Sequence, residues 1–447
     1  MKTVLVANRG EIARRILRAC RQMGMGTVAI YSDADAGALY VQEADQAVRI
    51  GPPPVAQSYL QAASIVQAAK EAGADAIHPG YGLLSENAEF ARLCVEAGLT
   101  FIGPTPEAIR QMGSKVEARA FAKAAGVPIV PGSVGAVATV SDAVAVAQSI
   151  GYPVMLKASA GGGGIGMTVA KDDGELEQAF VTSSKRVAAY FGDSTMYVEK
   201  YIENPRHIEI QILADQHGHV ASLGERECSI QRRHQKVVEE APSPGLNEET
   251  RTAMGQAAVR LASTLGYVGA GTVEFIASGK EFYFLEMNTR LQVEHPITEE
   301  VTSVDIVQWQ LRIAQGEALS DDVMNARVRG HAIECRLCAE DPVRFLPSPG
   351  TISALELPVG DGIRHEIGVQ AGDVITPYYD PMFAKLIVYG KTRDEARRKM
   401  LEALEGYVVS GVKTNLPLLI TIMNSQAFVQ GQTHTGFIAA LQAQASS

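Results

Sequence analysis

Cysteine and positive charge are both scarce in this chain of 447 residues. Its five cysteines (Cys20, Cys94, Cys228, Cys335 and Cys338) are too few to form a disulfide framework in so long a chain. Cys335 and Cys338 make a CxxC, but no second pair stands at zinc spacing. On a strand, residues three apart face opposite ways, so these thiols read as small apolar fillers. Lys and Arg number 40 against 50 Asp and Glu, a net charge of -10. That balance argues against a nucleic-acid partner, although a local basic cleft remains open. No apolar run is long enough to span a membrane, and the first eight residues acquire charge too early for a signal peptide. The expectation is a cytoplasmic protein with no membrane partner. With 46% hydrophobic residues it can bury a large core, and its length suggests about three domains.

Strands and helices alternate through the first hundred residues. Residues 3–7, 26–31, 74–79 and 100–103 read as strands, and 11–20, 61–72 and 87–98 as helices. Ile12, Ile16, Leu17 and Cys20 form the apolar stripe of the first helix. This order predicts a doubly wound parallel sheet, with ligands beyond the carboxyl ends of its strands. Asn8-Arg9-Gly10-Glu11 and the segment His78 to Asn87 occupy such ends. Thr105-Pro106-Glu107 opens a further helix as N-cap, first-turn proline and first-turn acid.

Gly161-Gly162-Gly163-Gly164-Ile165-Gly166 contains GxGxxG, but a dinucleotide fingerprint must open a helix. Here Met167-Thr168-Val169-Ala170 reads as a strand. Met167-Thr168 also stands where a P-loop needs Lys-Ser/Thr. What remains is a β-hairpin with a glycine tip, able to lay backbone N–H groups over phosphates. Lys157 precedes it as a point charge for phosphate. Further on, Glu199 and Lys200 form an acid–base pair suited to the edge of a base. Gln231 to Lys236 is a basic run in an acidic protein.

Residues 282–296 run Phe-Tyr-Phe-Leu-Glu-Met-Asn-Thr-Arg-Leu-Gln-Val-Glu-His-Pro. One parity holds Phe282, Phe284, Glu286, Asn288, Arg290, Gln292 and Glu294, an apolar start followed by a polar row. The other parity is mostly apolar. At roughly 3.3 Å per residue, Glu294 would lie about 26 Å from Glu286 on a straight strand. The chain must bend after Arg290, or the two carboxylates must do separate work. Glu274 lies on a preceding strand that pairs with this one as a hairpin. Glu274, Glu286 and Asn288 form a hard-oxygen set suited to Mg²⁺.

A lysine before a glycine hairpin, an acid–base strand and Glu274…Glu286-x-Asn288 together look like an ATP-grasp enzyme. Longer motifs resemble biotin carboxylase over effectively the whole chain. They are Ala7-Asn8-Arg9-Gly10-Glu11-Ile12-Ala13, His78-Pro79-Gly80-Tyr81-Gly82, Lys200-Tyr201-Ile202-Glu203-Asn204-Pro205-Arg206-His207, Glu225 to Lys236, and Glu286 to Pro296. The resemblance implies an N-terminal α/β domain at 1–113, an ATP-grasp domain at 114–330 with a mobile lid at about 131–203, and a mostly antiparallel C-terminal domain at 331–447. It implies that Lys115, Lys157, Gly163, Gly164, Glu199, Lys200, Tyr201, Ile202, His207, Gln231 and His234 contact ATP. Glu274, Glu286 and Asn288 would bind Mg²⁺ or Mn²⁺. Lys236, Arg290, Gln292, Val293 and Arg336 would cradle bicarbonate, with Arg336 and Tyr81 beside biotin and Glu294 as the base. Many relatives carry Lys or Arg where this chain has Ile165, so phosphate capture should lean on Lys115, Lys157 and Lys236. No Met-Lys-Met hairpin is present. The expected partners are therefore a separate biotin carboxyl carrier protein, carboxyltransferase subunits and a second copy of the chain, with Arg15 at the dimer interface. Competing expectations are another ATP-grasp ligase, or a non-catalytic nucleotide-binding subunit.

Overall fold

The computed structural model describes residues 1–133, 135–158, 167–191, 196–233 and 235–445. Five strands open the chain: β1 (Thr3–Val6), β2 (Gly26–Ser32), β3 (Gln46–Gly51), β4 (Ala76–His78) and β5 (Thr100–Phe101). They form a parallel sheet in the order β3-β2-β1-β4-β5. Alternate residues of β1 enter different cores. Val4 and Val6 pack with Ile12, Ile16, Leu17 and Cys20 of the helix Gly10–Gln22, as the stripe predicts. Leu5 packs on the other side with Ile65 and Phe90, from the helices Ala62–Glu71 and Ala88–Glu96. Burial on both faces explains why β1 is an unbroken apolar run. The strand β3 is not among those the sequence predicts: it is a largely exposed edge strand with little alternation.

A second, three-stranded sheet holds β6 (Val154–Ala158), β7 (Met167–Ala170) and β8 (Met196–Lys200) in the order β7-β6-β8. The antiparallel pairing of β6 with β7 is the expected hairpin. Its glycine tip, including Gly163, Gly164 and Ile165, lies outside the described residues, as does His234.

The main sheet comprises β9 (Arg206–Ala214), β10 (Val220–Arg232), β11 (Gln235–Ala241), β12 (Gly269–Ser278), β13 (Glu281–Asn288), β14 (His331–Cys338) and the strands Ile363–Ile367 and Met382–Gly390. It is antiparallel, in the order β13-β12-β9-β10-β11-β14, then Met382–Gly390, then Ile363–Ile367. One face of β9 and β12 is apolar. Ile208, Ile210, Ile212, Val273 and Phe275 pack there against Met254, Ala257, Ala258 and Leu261 of the helix Glu248–Leu265. That helix begins at Asn247, whose side chain accepts from Thr250 N, and ends at Gly266, which takes the left-handed conformation (φ +62°) that a side chain would disfavour. The opposite face is polar and forms the site.

All five cysteines are buried and free, including Cys335 and Cys338 on β14. Among the described residues no helix is long and apolar enough to cross a membrane. Arg15, expected at a dimer interface, is 1% exposed and is held within the chain by Glu299 at 2.8 Å and Asp305 at 2.7 Å.

Candidate active site

Residues directly opposite one another in an antiparallel ladder project to the same side of the sheet. Glu209 of β9 lies between Arg226 of β10 and Glu274 of β12. Glu274 in turn faces Glu286 of β13, and Thr272 faces Asn288. The expected hairpin between Glu274 and Glu286 is therefore present. One feature of the alternation is not. Phe275 pairs with Phe284 while Glu274 pairs with Glu286, so Leu285 is an inserted residue. A bulge of this kind restarts the parity. Phe282 and Phe284 consequently pack in the apolar core with Phe275, on the face opposite Glu286 and Asn288. The single polar parity expected from 282 to 294 is corrected to two faces.

Arg226 is fully buried and braces this face. Its guanidinium donates to Glu209 Oε1 at 2.5 Å, Gln211 Oε1 at 2.7 Å, Thr298 Oγ1 at 2.9 Å and Thr272 Oγ1 at 3.2 Å. A charge out of water must be paired and hydrogen-bonded, and this one is.

The strand ends at Asn288, two residues before the expected bend. The chain then turns back, and Glu294 stands at the N-terminal boundary of the helix His295–Thr302, with Pro296 in its first turn. This return carries Glu294 onto the same ammonium that Glu274 touches. Lys236 Nζ of β11 donates to Glu294 Oε1 at 2.6 Å, Glu209 Oε2 at 2.5 Å and Glu274 Oε1 at 3.0 Å. Arg336 of β14 donates to Glu294 Oε2 at 2.9 Å and to Glu239 Oε1 at 2.6 Å. Burial pushes the Glu294 carboxyl up, but the charges of Lys236, Arg336 and Arg226 outweigh it and hold it well below the usual carboxylate range. Burial pulls Lys236 down, but Glu209, Glu274 and Glu294 outweigh it and hold the ammonium charged. Lys236, expected to share in phosphate capture, is thus committed to three carboxylates.

Arg290 donates to Glu86 Oε2 at 2.7 Å, Asn288 Oδ1 at 2.9 Å and Gln292 Oε1 at 3.1 Å. Gln292 and Asn288 both donate to Glu274 Oε1, at 3.2 and 2.8 Å. The Glu286 carboxylate has no hydrogen bond or ion pair to a described residue. Burial and then the charge of Glu274 raise its pKa, while Lys115 lowers it. Glu274, Glu286 and Asn288 bring two carboxylates and an amide oxygen onto one sheet face, a hard-oxygen donor set of the kind that suits Mg²⁺.

Of the residues expected to contact ATP, Lys115 opens the helix Lys115–Ala124. Lys157 is hydrogen-bonded to Glu199, whose other oxygen accepts from Arg119 Nη1 at 2.7 Å. The Lys200 ammonium instead donates to the backbone carbonyls of Gly151 at 3.0 Å and Tyr152 at 2.9 Å, so its side chain braces the hairpin. Tyr201 and Ile202 follow β8, half-buried. His207 Nε2 lies 2.8 Å from Glu274 Oε2, and its Nδ1 is 3.0 Å from Gln231 Nε2.

Tyr81 is placed by the turn after β4. Gly80 has φ +64°, and a Cβ there would meet Asn8 Nδ2 at 2.8 Å. Its absence lets that amide donate to the carbonyls of Pro79 at 2.7 Å and Tyr81 at 2.8 Å. The Tyr81 hydroxyl donates to Glu11.

Sequence reasoning did not single out Glu209, Arg226, Glu239, Glu86, Arg119 or Lys385. Glu209 sits in the clean alternation of β9, which is a usable signal. Arg226, Glu239 and Lys385 depend on strand order, whereas Glu86 lies in the turn before the helix Ala88–Glu96 and Arg119 on the helix Lys115–Ala124.

Three family profiles match the chain. These are the biotin carboxylase N-terminal domain at residues 1–109, the carbamoyl-phosphate synthase L chain ATP binding domain at 114–322, and the biotin carboxylase C-terminal domain at 334–440. A biotin carboxylase of Halalkalibacterium halodurans is 57% identical, covering 98% of this chain and 97% of its own length. A pyruvate carboxylase subunit from Methanothermobacter thermautotrophicus is 51% identical, covering 97% and 89%. Among solved structures, the biotin carboxylase domain dimer of the Hydrogenobacter thermophilus 2-oxoglutarate carboxylase, in complex with MgADP, ADP and bicarbonate, is 51% identical, with a TM-score of 0.87 and coverage of 98% and 97%. With matches over nearly its whole length, and with carboxylates and two cations converging at one sheet face, the chain belongs to the biotin carboxylase family: it is an enzyme that carboxylates biotin in the first half-reaction of biotin-dependent carboxylases.

Proposed function

We propose that the protein uses MgATP and bicarbonate to carboxylate biotin on a separate carrier protein, as the biotin carboxylase component of an acetyl-CoA carboxylase serving fatty-acid synthesis in the cytoplasm. The observation that carries this reading is the placement of Glu294 between Lys236 and Arg336. These groups supply a proton acceptor and two cations around one small space. Arg290 and the Val293 backbone complete a cradle for a planar anion. Glu294 takes the proton of bicarbonate, and the freed oxygen attacks the γ-phosphorus of ATP, giving carboxyphosphate and ADP. Glu274, Glu286 and Asn288 would hold Mg²⁺, which when bound offsets the charge of the ATP phosphates. Carboxyphosphate releases CO₂ and phosphate beside the biotin ring. The phosphate takes the ureido N–H proton, Arg336 stabilises the enolate-like ureido oxygen, and the nitrogen attacks CO₂. Lys115, Lys157 and the backbone from Glu199 to Ile202 hold the nucleotide.

The working division is 1–113, 114–330 and 331–447, with a homodimer as the functional unit. The carboxyl acceptor is the least constrained element. The name biotin carboxylase of the 57% identical relative specifies no acceptor, while the pyruvate carboxylase relative, 51% identical, supports a second reading, a pyruvate carboxylase. The test incubates the protein with ATP, Mg²⁺, labelled bicarbonate and biotinylated carriers, then adds transferase subunits with acetyl-CoA, propionyl-CoA, methylcrotonyl-CoA or pyruvate. Label on the carrier and then on acetyl-CoA is expected. Label passing only to another acceptor overturns the pathway, and label on no carrier overturns the activity.

A further inference from the structure

Lys385 lies on the strand Met382–Gly390, and its side chain is wholly buried. A lysine taken out of water must be compensated. One compensation is Glu11, whose Oε2 is 3.3 Å from the ammonium. Another is a backbone carbonyl, that of Val293, to which Nζ donates at 2.7 Å, and the buried carboxylates of Glu334 and Glu366 add their charge. Val293 precedes Glu294, so this bond fixes the peptide plane that leads into the base. In the ladder Lys385 stands directly opposite Arg336, so the two cations emerge side by side. Arg336 grips the Glu294 carboxylate and Lys385 grips the backbone just before it. Glu11 also accepts the Tyr81 hydroxyl, and the Tyr81 ring centroid is 5.9 Å from the Lys385 ammonium. Residues from three distant parts of the chain therefore meet on one buried charge.

We propose that Lys385 is a positioning residue that sets the bicarbonate side of the site through the Val293–Glu294 peptide and the biotin side through Glu11 and Tyr81. This inference rests on the proposed roles of Glu294 and Tyr81. It predicts a particular kinetic split, because neither contact reaches the nucleotide residues. K385M alone strands the buried Glu11 carboxylate and can fail to fold, so the test uses K385M together with E11Q, which removes both charges. Expected for the double variant is a KM for bicarbonate and a KM for free biotin each raised roughly 10- to 100-fold, the cost of misplacing a reacting group by about an ångström. The KM for ATP should stay within about twofold. E11Q alone keeps the Val293 contact and should raise the KM for biotin more than that for bicarbonate. Two outcomes overturn the proposal: a folded double variant with wild-type KM for bicarbonate, or an equal rise in all three KM values, which marks a merely structural residue. Failure of the underlying reading is separately visible, since it appears as wild-type protein lacking bicarbonate-dependent ATP cleavage, or as E294Q retaining it.

Discussion

Glu294, in its proposed role as the base, faces conflicting demands. A general base works best with a pKa near the operating pH, yet the charges of Lys236 and Arg336 hold Glu294 well below the ordinary carboxylate range despite its burial. The conflict resolves if the anionic substrate draws the same two cations. As they turn to bicarbonate, their hold on Glu294 weakens and its proton affinity rises. E294Q should therefore lower bicarbonate-dependent ATP cleavage by about 10²- to 10⁴-fold and leave ATP binding, measured by equilibrium titration, nearly unchanged. Wild-type turnover in E294Q would refute the assignment. Glu239 shows the opposite shift. Burial, aided by the charge of Glu294, pushes it from 4.5 to about 7 against the pull of Arg336 and Lys236. Opposite it in the ladder is Glu334, fully buried, with neither carboxyl oxygen partnered by a described residue. A raised folded-state pKa means the folded protein holds the proton more tightly. Between pH 4.5 and about 7 it binds more protons than the unfolded chain, so Glu239 makes stability fall as pH rises through that window. E239Q keeps an acceptor for Arg336 and removes the titration. Its Tm should decline less than that of wild type across this range, and an identical profile would show that Glu239 does not titrate there.

At the scale of elements, the polar residues of β13 were legible and their faces were not. Alternation singled out Glu286 and Asn288 as candidate site residues, and cross-strand pairing with Glu274 followed from hairpin spacing. Leu285 could not be recognised as a bulge, because an inserted residue leaves the pattern on each side intact and only shifts one against the other. The return of Glu294 was legible only in part: straight-strand distance called for a bend after Arg290 or for separate work by the two carboxylates, and the strand ends two residues earlier, at Asn288. Arg226 was illegible as a brace for a different reason. Its partners come from β9, β12 and the helix His295–Thr302, and sequence spacing does not encode that β9 lies between β10 and β12. Because Arg226 holds these elements together, R226M should cost about 3–5 kcal/mol of stability, the range for a buried ion pair that loses one partner. Combining it with E209Q should recover part of that loss, because it removes a buried carboxylate left with Lys236 as its remaining cation contact. Chemical denaturation of the two variants tests this. Equal stabilities for R226M and the wild type would show that the network adds nothing net.

For the whole molecule, the parallel sheet and the glycine hairpin were readable from order and composition, and the antiparallel C-terminal strands from the resemblance. That the last group continues the main sheet was not. A division at 330 falls between β13 and β14, yet β14 pairs directly with β11 through Val238–Cys335, Glu239–Glu334, Glu240–Ile333 and Ala241–Ala332. Beyond the ladder, Arg336 satisfies Glu239 and Glu294. Glu240 accepts from His331 Nε2 at 2.7 Å and Arg393 Nε at 2.7 Å. A chain ending at 330 would thus leave β11 as an exposed edge with unpaired backbone groups, and would strand Glu239 and Glu240, both buried in the intact protein. An open edge beside buried, unpaired carboxylates favours aggregation over folding. The fragment 1–330, although it retains every residue assigned to ATP and metal, should be insoluble or bind ATP at least tenfold more weakly than the full chain, a loss of about 1.4 kcal/mol. The full chain should unfold its residues 114–330 and 331–447 in a single calorimetric transition. A soluble, monomeric fragment with full ATP affinity would show that the shared sheet is dispensable and that the chain is built from separable parts.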